Sequence, residues 1–149
     1  MKNNLSGLIS TLFSIVRKEE KMIKSNVIYN FDEFRTLISS KAEIGAYYLI
    51  YDDFYLEKID KNSNLIRDTL GVIDRQVQSF NIIKYISFKV RDKYSTKEIY
   101  EILEKLREHS KILLTIYNPK NQEWFLLFVS GKNDSKLETD VTDLLEMER

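Results

Sequence analysis

The sequence predicts an α+β domain in which helices cover a mostly antiparallel sheet of about five strands. Apolar residues repeat with a helical period in some segments and alternate or run continuously in others. The two kinds of segment are interspersed along the chain, and two pairs of strand segments are joined by short, turn-like connections that favour hairpins. The predicted order of elements is α-α-β-β-α-β-α-β-β-α.

Composition excludes several classes of function. The chain has 149 residues, 43% of them hydrophobic, which suffices for one domain with its own core. The 23 basic and 23 acidic residues cancel, so net charge does not point to a polyanionic partner. The absence of cysteine excludes disulfides and thiolate chemistry; it fits a cytoplasmic protein, and also a viral or extremophile one. His109 is the single histidine, and the four glycines are too few for a glycine-rich phosphate loop.

An apolar stripe with helical spacing lies near the N-terminus. Its members are Leu5, Leu8, Ile9, Leu12, Phe13 and Val16. The opposite face is small and uncharged, and the apolar run of about 12 residues is shorter than the roughly 20 that span a bilayer. We therefore divide the chain into residues 1–24, an amphipathic helix with a charged linker, and residues 25–149, one α+β domain.

Two uses of this amphipathic segment stay open. It packs on its own domain or on another subunit, or it lies in a membrane interface. On a membrane, apolar insertion would supply most of the binding, because the polar face is uncharged and residues 1–18 carry only three cations, Lys2, Arg17 and Lys18. Serines interrupt the apolar stretch and no small-residue cleavage site follows, which disfavours a secretory signal. We expect a cytoplasmic protein, in solution or peripheral to a membrane.

The first half of the domain is predicted to hold a helix, a hairpin and a second helix. Asn30, with an acid three residues later, is typical of a helix N-terminus. Residues 46–51 and 54–59 are rich in aromatic side chains and are typical of strands joined by a tight turn. Spacings of 4, 3, 4 and 3 then predict the second helix. Its apolar members are Ile66, Leu70, Ile73, Val77 and Phe80.

The second half continues the alternation of strands and helices. Residues 82–90 alternate between apolar and polar side chains, as a half-buried strand does. Residues 95–98 form a capping box, which predicts the start of a helix. Residues 112–117 and 124–129 are the most apolar strands and are joined by a hairpin loop that contains the only proline. A second capping box at residues 135–138 predicts the last helix.

This order resembles that of the small dimerising roadblock and longin-like domains. The present chain has one extra helix, residues 95–109, between their third and fourth strands. The resemblance is carried by element order and by no residue motif, and element order alone transfers no function.

The strand at residues 124–129 is apolar on both faces. Each face must therefore be covered, either by helices or by a partner subunit, and for this reason we expect a homodimer. Tyrosine is favoured at interfaces where its hydroxyl stays in contact with water. The predicted self-association residues are Tyr47, Tyr51, Tyr55, Trp124 and Phe128.

A face that mixes basic and aromatic side chains favours an alternative function, nucleic-acid binding. Aromatic rings stack on bases, and cations neutralise phosphates. The residues of this face are Lys84, Tyr85, Lys89, Arg91 and Lys93. The zero net charge weighs against the alternative, as does the fact that lysine and tyrosine are common on the solvated side of an ordinary sheet.

A second alternative is a metal-dependent phosphodiesterase or nuclease. Asp52, Asp53 and Glu57 would hold Mg²⁺ in such an enzyme. Aspartate is also common in tight turns, where it bonds to its own backbone, and this is the better explanation of the pair. His109 ends a helix, where an imidazole interacts with free carbonyls, and no triad spacing surrounds it.

We therefore predict a non-enzymatic α+β domain that acts by association and needs no cofactor. Its partners would be a second copy of itself and a protein not identified by the sequence. The N-terminal amphipathic segment would dock the domain on a subunit or on a membrane surface.

Overall fold

The computed structural model describes residues 24–27, 30–50, 57–58 and 63–147. The strands are β1 (Lys24–Val27), β2 (Tyr47–Ile50), β3 (Glu57–Lys58), β4 (Ile83–Lys89), β5 (Ile112–Asn118) and β6 (Glu123–Val129). The described helices are α1 (Phe31–Lys41), α2 (Ser63–Gln78), α3 (Thr96–Arg107) and α4 (Asp134–Met147). The α+β class is confirmed, and from α1 onwards the order of elements agrees with the prediction.

All six described strands form one antiparallel sheet in the order β1-β4-β6-β5-β2-β3. About five strands were predicted, and the additional one is β1. It begins at Lys24, the last residue of the predicted linker, and pairs with β4 so that Lys24 lies opposite Ser87. Its four residues, Lys-Ser-Asn-Val, carry no apolar alternation, so periodicity could not reveal it.

Helices cover both faces of the sheet and create two cores. One core joins α1 and α2 to the sheet and contains Phe34, Ile73 and Phe125. The other joins α3 and α4 to the opposite face and contains Ile102 and Trp124. Successive side chains of β6 enter the two cores alternately, which explains why this strand is apolar throughout.

The strand registers define two ends of the sheet. Ile83 lies opposite Val129 at what we call the upper end, and Lys89 lies opposite Glu123 at the lower end. α1 follows the upper end of β1 and leads to the lower end of β2, so it runs downward. α2 follows β3 at the lower end and leads to the upper end of β4, so it runs upward.

Two of the predicted helix starts have the expected caps. The backbone N–H of Glu98 donates to Ser95 Oγ at 3.2 Å, and the backbone N–H of Ser95 donates to Glu98 Oε1 at 3.0 Å. The N–H of Glu33 donates to Asn30 Oδ1 at 2.7 Å. The third predicted start is two residues out, because a cap at Ser135 would begin the helix at residue 136, whereas α4 begins at Asp134.

The stripe predicted for the second helix is only partly correct. Ile73 is buried, whereas Val77 is exposed, and α2 ends at Gln78, before Phe80 is reached. The inward face is shifted by one residue along the chain and centres on Leu65, Thr69, Val72 and Ile73. None of the helices in the described ranges is both long and apolar enough to cross a membrane.

Candidate functional site

The turn that ends α2 holds a phenylalanine in a left-handed backbone conformation. The N–H of Phe80 donates to the carbonyl of Val77 at 2.9 Å, and the N–H of Asn81 donates to that of Gln76 at 3.1 Å. These are the two hydrogen bonds of a Schellman motif, which requires positive φ at the residue after the C-cap. Glycine usually occupies that position, but here Phe80 does, with φ 63°. An L side chain in this region costs about 1–2 kcal/mol.

The side chain of this strained residue lies in water. Phe80 is 97% exposed, and Ile82, Val77 and Phe31 are 58%, 47% and 42% exposed. All four lie at the upper end, where α2 ends, β4 begins and α1 begins. We call these four residues the apolar end surface.

The remaining exposed large hydrophobic residue of the described ranges is isolated. Ile44 is 71% exposed, but it lies in the connection between α1 and β2, at the lower end. Single exposed hydrophobic side chains are normal on soluble proteins, whereas a group of them at one place often marks a contact surface. Ile44 is therefore a suitable control for experiments on the apolar end surface.

Two unfavourable features coincide at Phe80. Burying a phenylalanine side chain gains about 1.5–3 kcal/mol relative to leaving it in water, and Phe80 forgoes that gain. Its backbone is strained as well. Strained backbone that the surrounding structure enforces is concentrated at ligand clamps and other functional sites.

The stretch of chain that holds Val77, Phe80 and Ile82 is polar but uncharged, whereas Asp32 and Glu33 follow Phe31 directly. Residues 76–82, which contain three of its four members, include no charged side chain. The next cation along β4, Lys84, points to the opposite face of the sheet and is bound by Asp134. The part of the surface formed by Val77, Phe80 and Ile82 therefore suits an apolar partner.

Asp134 joins the sheet to the start of α4. Its Oδ2 accepts from Lys84 Nζ at 3.1 Å and from Ser130 Oγ at 2.9 Å, and its Oδ1 accepts from the N–H of Gly131 at 2.7 Å. Partial burial alone would raise the pKa of Asp134. The bonds from Gly131, Ser130 and Lys84 outweigh it and hold that pKa below its ordinary value. The carboxylate therefore holds the start of α4 against the sheet through hydrogen bonds from these three donors.

An open groove of about 350 Å³ lies between the end of α3 and the first turns of α4. It is lined by Glu108, His109, Ser110, Lys111, Asn133, Lys136, Leu137 and Asp140. Its charges are of both signs, and no group of three metal-ligating side chains occurs in the described part of the chain. His109 lies two residues beyond the end of α3, and its backbone N–H donates to the Leu106 carbonyl at 3.1 Å.

The residues of the predicted nucleic-acid face are divided among three places. Lys84 points toward α4, and Tyr85, the next residue in β4, points to the other face. There the Tyr85 ring stacks on Phe125 with centroids 5.6 Å apart. The exposed members, near the lower end, are Lys89, Arg91 and Lys93.

The predicted self-association residues require a correction. Trp124 and Phe128 are completely buried, and Tyr47 is buried as well, all in the core under α3 and α4. Because the chain's own helices cover these side chains, they do not form a surface that a second copy could contact. Tyr51 and Tyr55 lie outside the described residues.

Two further predictions fall on residues that the structure does not describe. The docking stripe is one of them: Leu5, Leu8, Ile9, Leu12, Phe13 and Val16. The other is the carboxylate group of the metal-dependent alternative, since Asp52 and Asp53 lie outside the described ranges and Glu57 is described only in its backbone.

No protein-family model, curated protein or solved structure matches the chain. The functional argument therefore depends on the surface itself. Sequence reasoning misses that surface because Val77 and Phe80 continue the apolar stripe of the predicted second helix. The available signal was Asn81 followed by a new strand, which favours a helix end just before it.

Proposed function

We propose that this protein is a non-enzymatic domain that acts by association, and that it self-associates through the apolar end surface. The observation that carries the proposal is Phe80, a side chain that is 97% exposed on a backbone held at φ 63°. Contact with another chain would remove the exposed Phe80 ring from water. It would also explain why a strained backbone turn is kept at this position.

The absence of charge in residues 76–82 favours a second copy as the partner. In a two-fold dimer each patch meets the same patch of its partner, so a charged patch would repel itself. Residues 76–82 carry no charge, and the chain as a whole has a formal net charge of zero. Two copies can therefore bring residues 76–82 together without like-charge repulsion between these residues.

A membrane surface is the other occupant that exposed phenylalanine and isoleucine side chains would suit. Binding to anionic lipid draws much of its strength from lysine and arginine beside the inserted side chains. Residues 76–82 supply neither, and Arg75, directly before them, is a single cation next to the acid Asp74. This difference favours a protein partner over a lipid one.

The proposal is tested by sedimentation equilibrium of the full chain over a range of concentrations. We expect the average mass of the wild type to rise toward that of a dimer with concentration. Phe80→Ser combined with Ile82→Ser should raise the dissociation constant at least about tenfold, which corresponds to about 1.4 kcal/mol. The control Ile44→Ser removes a comparably exposed side chain from the lower end and should change nothing.

Two results would overturn the proposal. One is a chain that stays monomeric at every concentration, or whose dissociation constant is the same in the double variant. The other is flotation of the full chain with phospholipid vesicles that is lost in the double variant and kept in Ile44→Ser, which would assign the surface to lipid.

A further inference from the structure

We propose that the lower end of the sheet binds the phosphate backbone of a nucleic-acid duplex through four cations on two adjacent loops. Lys89, Arg91 and Lys93 lie at the end of β4 and in the connection to α3, and Lys120 lies in the hairpin between β5 and β6. We call these four residues the lower-end cations. The proposal does not depend on self-association, which uses the apolar end surface at the opposite end of the sheet.

Positive charge is concentrated at this end although the chain as a whole is neutral. Residues 89–93 and 119–122 contain the lower-end cations and one acid, Asp92. All four cationic side chains are exposed, and within the described ranges none of them forms an ion pair. The lower end therefore attracts a partner that carries several negative charges.

The carboxylate directly opposite Lys89 in the sheet is bonded by another residue. Lys89 pairs with Glu123 across β4 and β6, a position at which opposite charges usually interact. Instead, Lys41 at the end of α1 bonds Glu123, with Nζ 2.8 Å from Oε1. Because Lys41 neutralises this acid, the ammonium group of Lys89 is left for an anion from outside the chain.

Hydrogen bonds fix the two loops to each other. The N–H of Val90 donates to the Gln122 carbonyl at 2.9 Å, and Gln122 Nε2 donates to the carbonyls of Val90 and Arg91 at 3.2 and 2.7 Å. Gln122 is held at φ 57°, a strained conformation of the kind that is concentrated at ligand clamps. The N–H of Lys120 donates to Asn118 Oδ1 at 3.0 Å. The backbone that carries the cations is thus ordered in advance, which lowers the entropy cost of binding.

The spacing of the loops favours a nucleic-acid backbone. From β4 across β6 to β5 the loops span two strand spacings, or about 10 Å. One strand of a duplex carries a phosphate about every 3.4 Å along its axis, so about three phosphates face this span. Residues 89–93 and 119–122 contain no aromatic side chain on which a base could stack. This favours a duplex, whose phosphates lie on the outside, over a single strand.

An anionic membrane is the other surface that the lower-end cations would suit. Stable attachment to a bilayer needs inserted apolar groups besides cations. The apolar side chains of the two loops, Val90 and Pro119, are half-buried. Ile44 is exposed at the same end, but it lies in the connection to β2, beyond β5. The loops therefore offer cations without an apolar side chain to insert, which favours the nucleic acid.

The test is fluorescence anisotropy of a short fluorescein-labelled DNA duplex of mixed sequence, titrated with the full chain at several salt concentrations. If about three phosphates are neutralised, the logarithm of the binding constant should fall with the logarithm of the salt concentration with a slope of about −3. Arg91→Gln combined with Lys120→Gln removes one cation from each loop. This double variant should reduce the slope to about −1 and weaken binding at low salt at least about tenfold.

The matched control is Lys132→Gln combined with Lys136→Gln. It removes the same charge from two exposed positions, one after the upper end of β6 and one in the first turn of α4. The slope should be that of the wild type, and the affinity should change by less than about twofold. Urea unfolding confirms that both double variants are folded.

The proposal is overturned if the full chain does not bind the duplex at low salt, or if Arg91→Gln with Lys120→Gln leaves the slope unchanged. An equal loss of affinity in the control, or tighter binding to one strand of the duplex alone, would contradict it as well. Flotation with phosphatidylserine vesicles that is lost in the Arg91 and Lys120 double variant, without binding to the duplex, would assign the lower-end cations to a membrane. Each of these results leaves the proposed self-association standing.

Discussion

Gln76 and Asn81 are joined twice, once by their backbones and once by their side chains. The N–H of Asn81 donates to the Gln76 carbonyl at 3.1 Å, and Asn81 Nδ2 donates to Gln76 Oε1 at 3.0 Å. Both residues are partly buried. The pair closes the loop that holds Phe80 at φ 63°, so the exposed ring is presented by a fixed turn.

We expect the side-chain bond between these residues to contribute measurably to stability. Gln76→Ala, Asn81→Ala and the double variant form a thermodynamic cycle. The coupling free energy should be about 0.5–1.5 kcal/mol, the usual net value of one hydrogen bond. Urea unfolding followed by the fluorescence of Trp124, the single and fully buried tryptophan, measures it. A coupling of zero would show that the two amides do not hold the turn.

Phe80→Gly should raise the free energy of unfolding by about 1 kcal/mol when measured below the concentration at which the chain associates. Glycine adopts positive φ without strain, and removal of a ring that is 97% exposed forfeits almost no burial. Chemical denaturation at low protein concentration measures the change. A loss of stability under these conditions would mean that the ring is packed within a single copy.

Gln122→Gly is the matched control for that prediction. Gln122 also has positive φ, 57°, so glycine relieves the same kind of strain there. Its side chain, however, donates to the carbonyls of Val90 and Arg91 at 3.2 and 2.7 Å. Loss of these two bonds should cancel the relief or exceed it, so Gln122→Gly should be neutral or destabilising. Equal stabilisation by Phe80→Gly and Gln122→Gly would show that the two side-chain bonds of Gln122 contribute nothing to stability, and would contradict this prediction.

Gly71→Ala should stabilise the protein by about 1 kcal/mol. Gly71 is exposed in the middle of α2, and a Cβ placed there meets no atom within 4 Å. Alanine has the higher helix propensity and the smaller loss of backbone entropy on folding. Gly45→Ala should be destabilising instead, because Gly45 has φ 92°. Thermal unfolding of the two variants separates these effects, and a change of the same sign in both would contradict the account.

Asp134→Asn should weaken the protein near pH 7 by about 1 kcal/mol, because the amide accepts less strongly from Lys84, Ser130 and Gly131. The pKa of Asp134 is lowered in the folded state, so its contribution is complete above the unfolded value of about 3.9. It is lost as the pH falls through the lower, folded value. The difference between variant and wild type should therefore shrink below about pH 4.

Unfolding by urea at several pH values checks this prediction. Asp143→Asn, on the exposed side of the same helix, is the control and should leave the pH dependence unchanged. A difference between Asp134→Asn and wild type that stays constant down to acid pH would show that the carboxylate charge has no role.

Most of the fold was predictable because local signals and tertiary packing agree. The capping box of residues 95–98, the hairpin around the single proline and the continuous apolar run of β6 each specify an element by local chemistry. The prediction failed where a tertiary contact decides the outcome. β1 has no apolar pattern and exists because β4 offers it a free edge.

The candidate site was less predictable for a related reason. The sequence predicts Trp124 and Phe128 at a subunit interface because it does not distinguish coverage by the chain's own helices from coverage by a partner. The sequence predicts Phe80 in a helix stripe, since periodicity alone does not show that the helix ends at Gln78 and that a bulky residue occupies the left-handed position. In both cases the sequence does not show whether a side chain is covered, or by which part of the protein. Only the packed structure shows this.

The most direct test of the central claim is the dissociation constant of the self-associated full chain carrying Phe80→Gly, relative to that of the wild type. The account predicts a constant raised at least about tenfold, in a variant whose single copies are more stable than the wild type. Opposite effects of one substitution on stability and on association would show that the ring is kept in water for a partner. An unchanged dissociation constant would contradict the account.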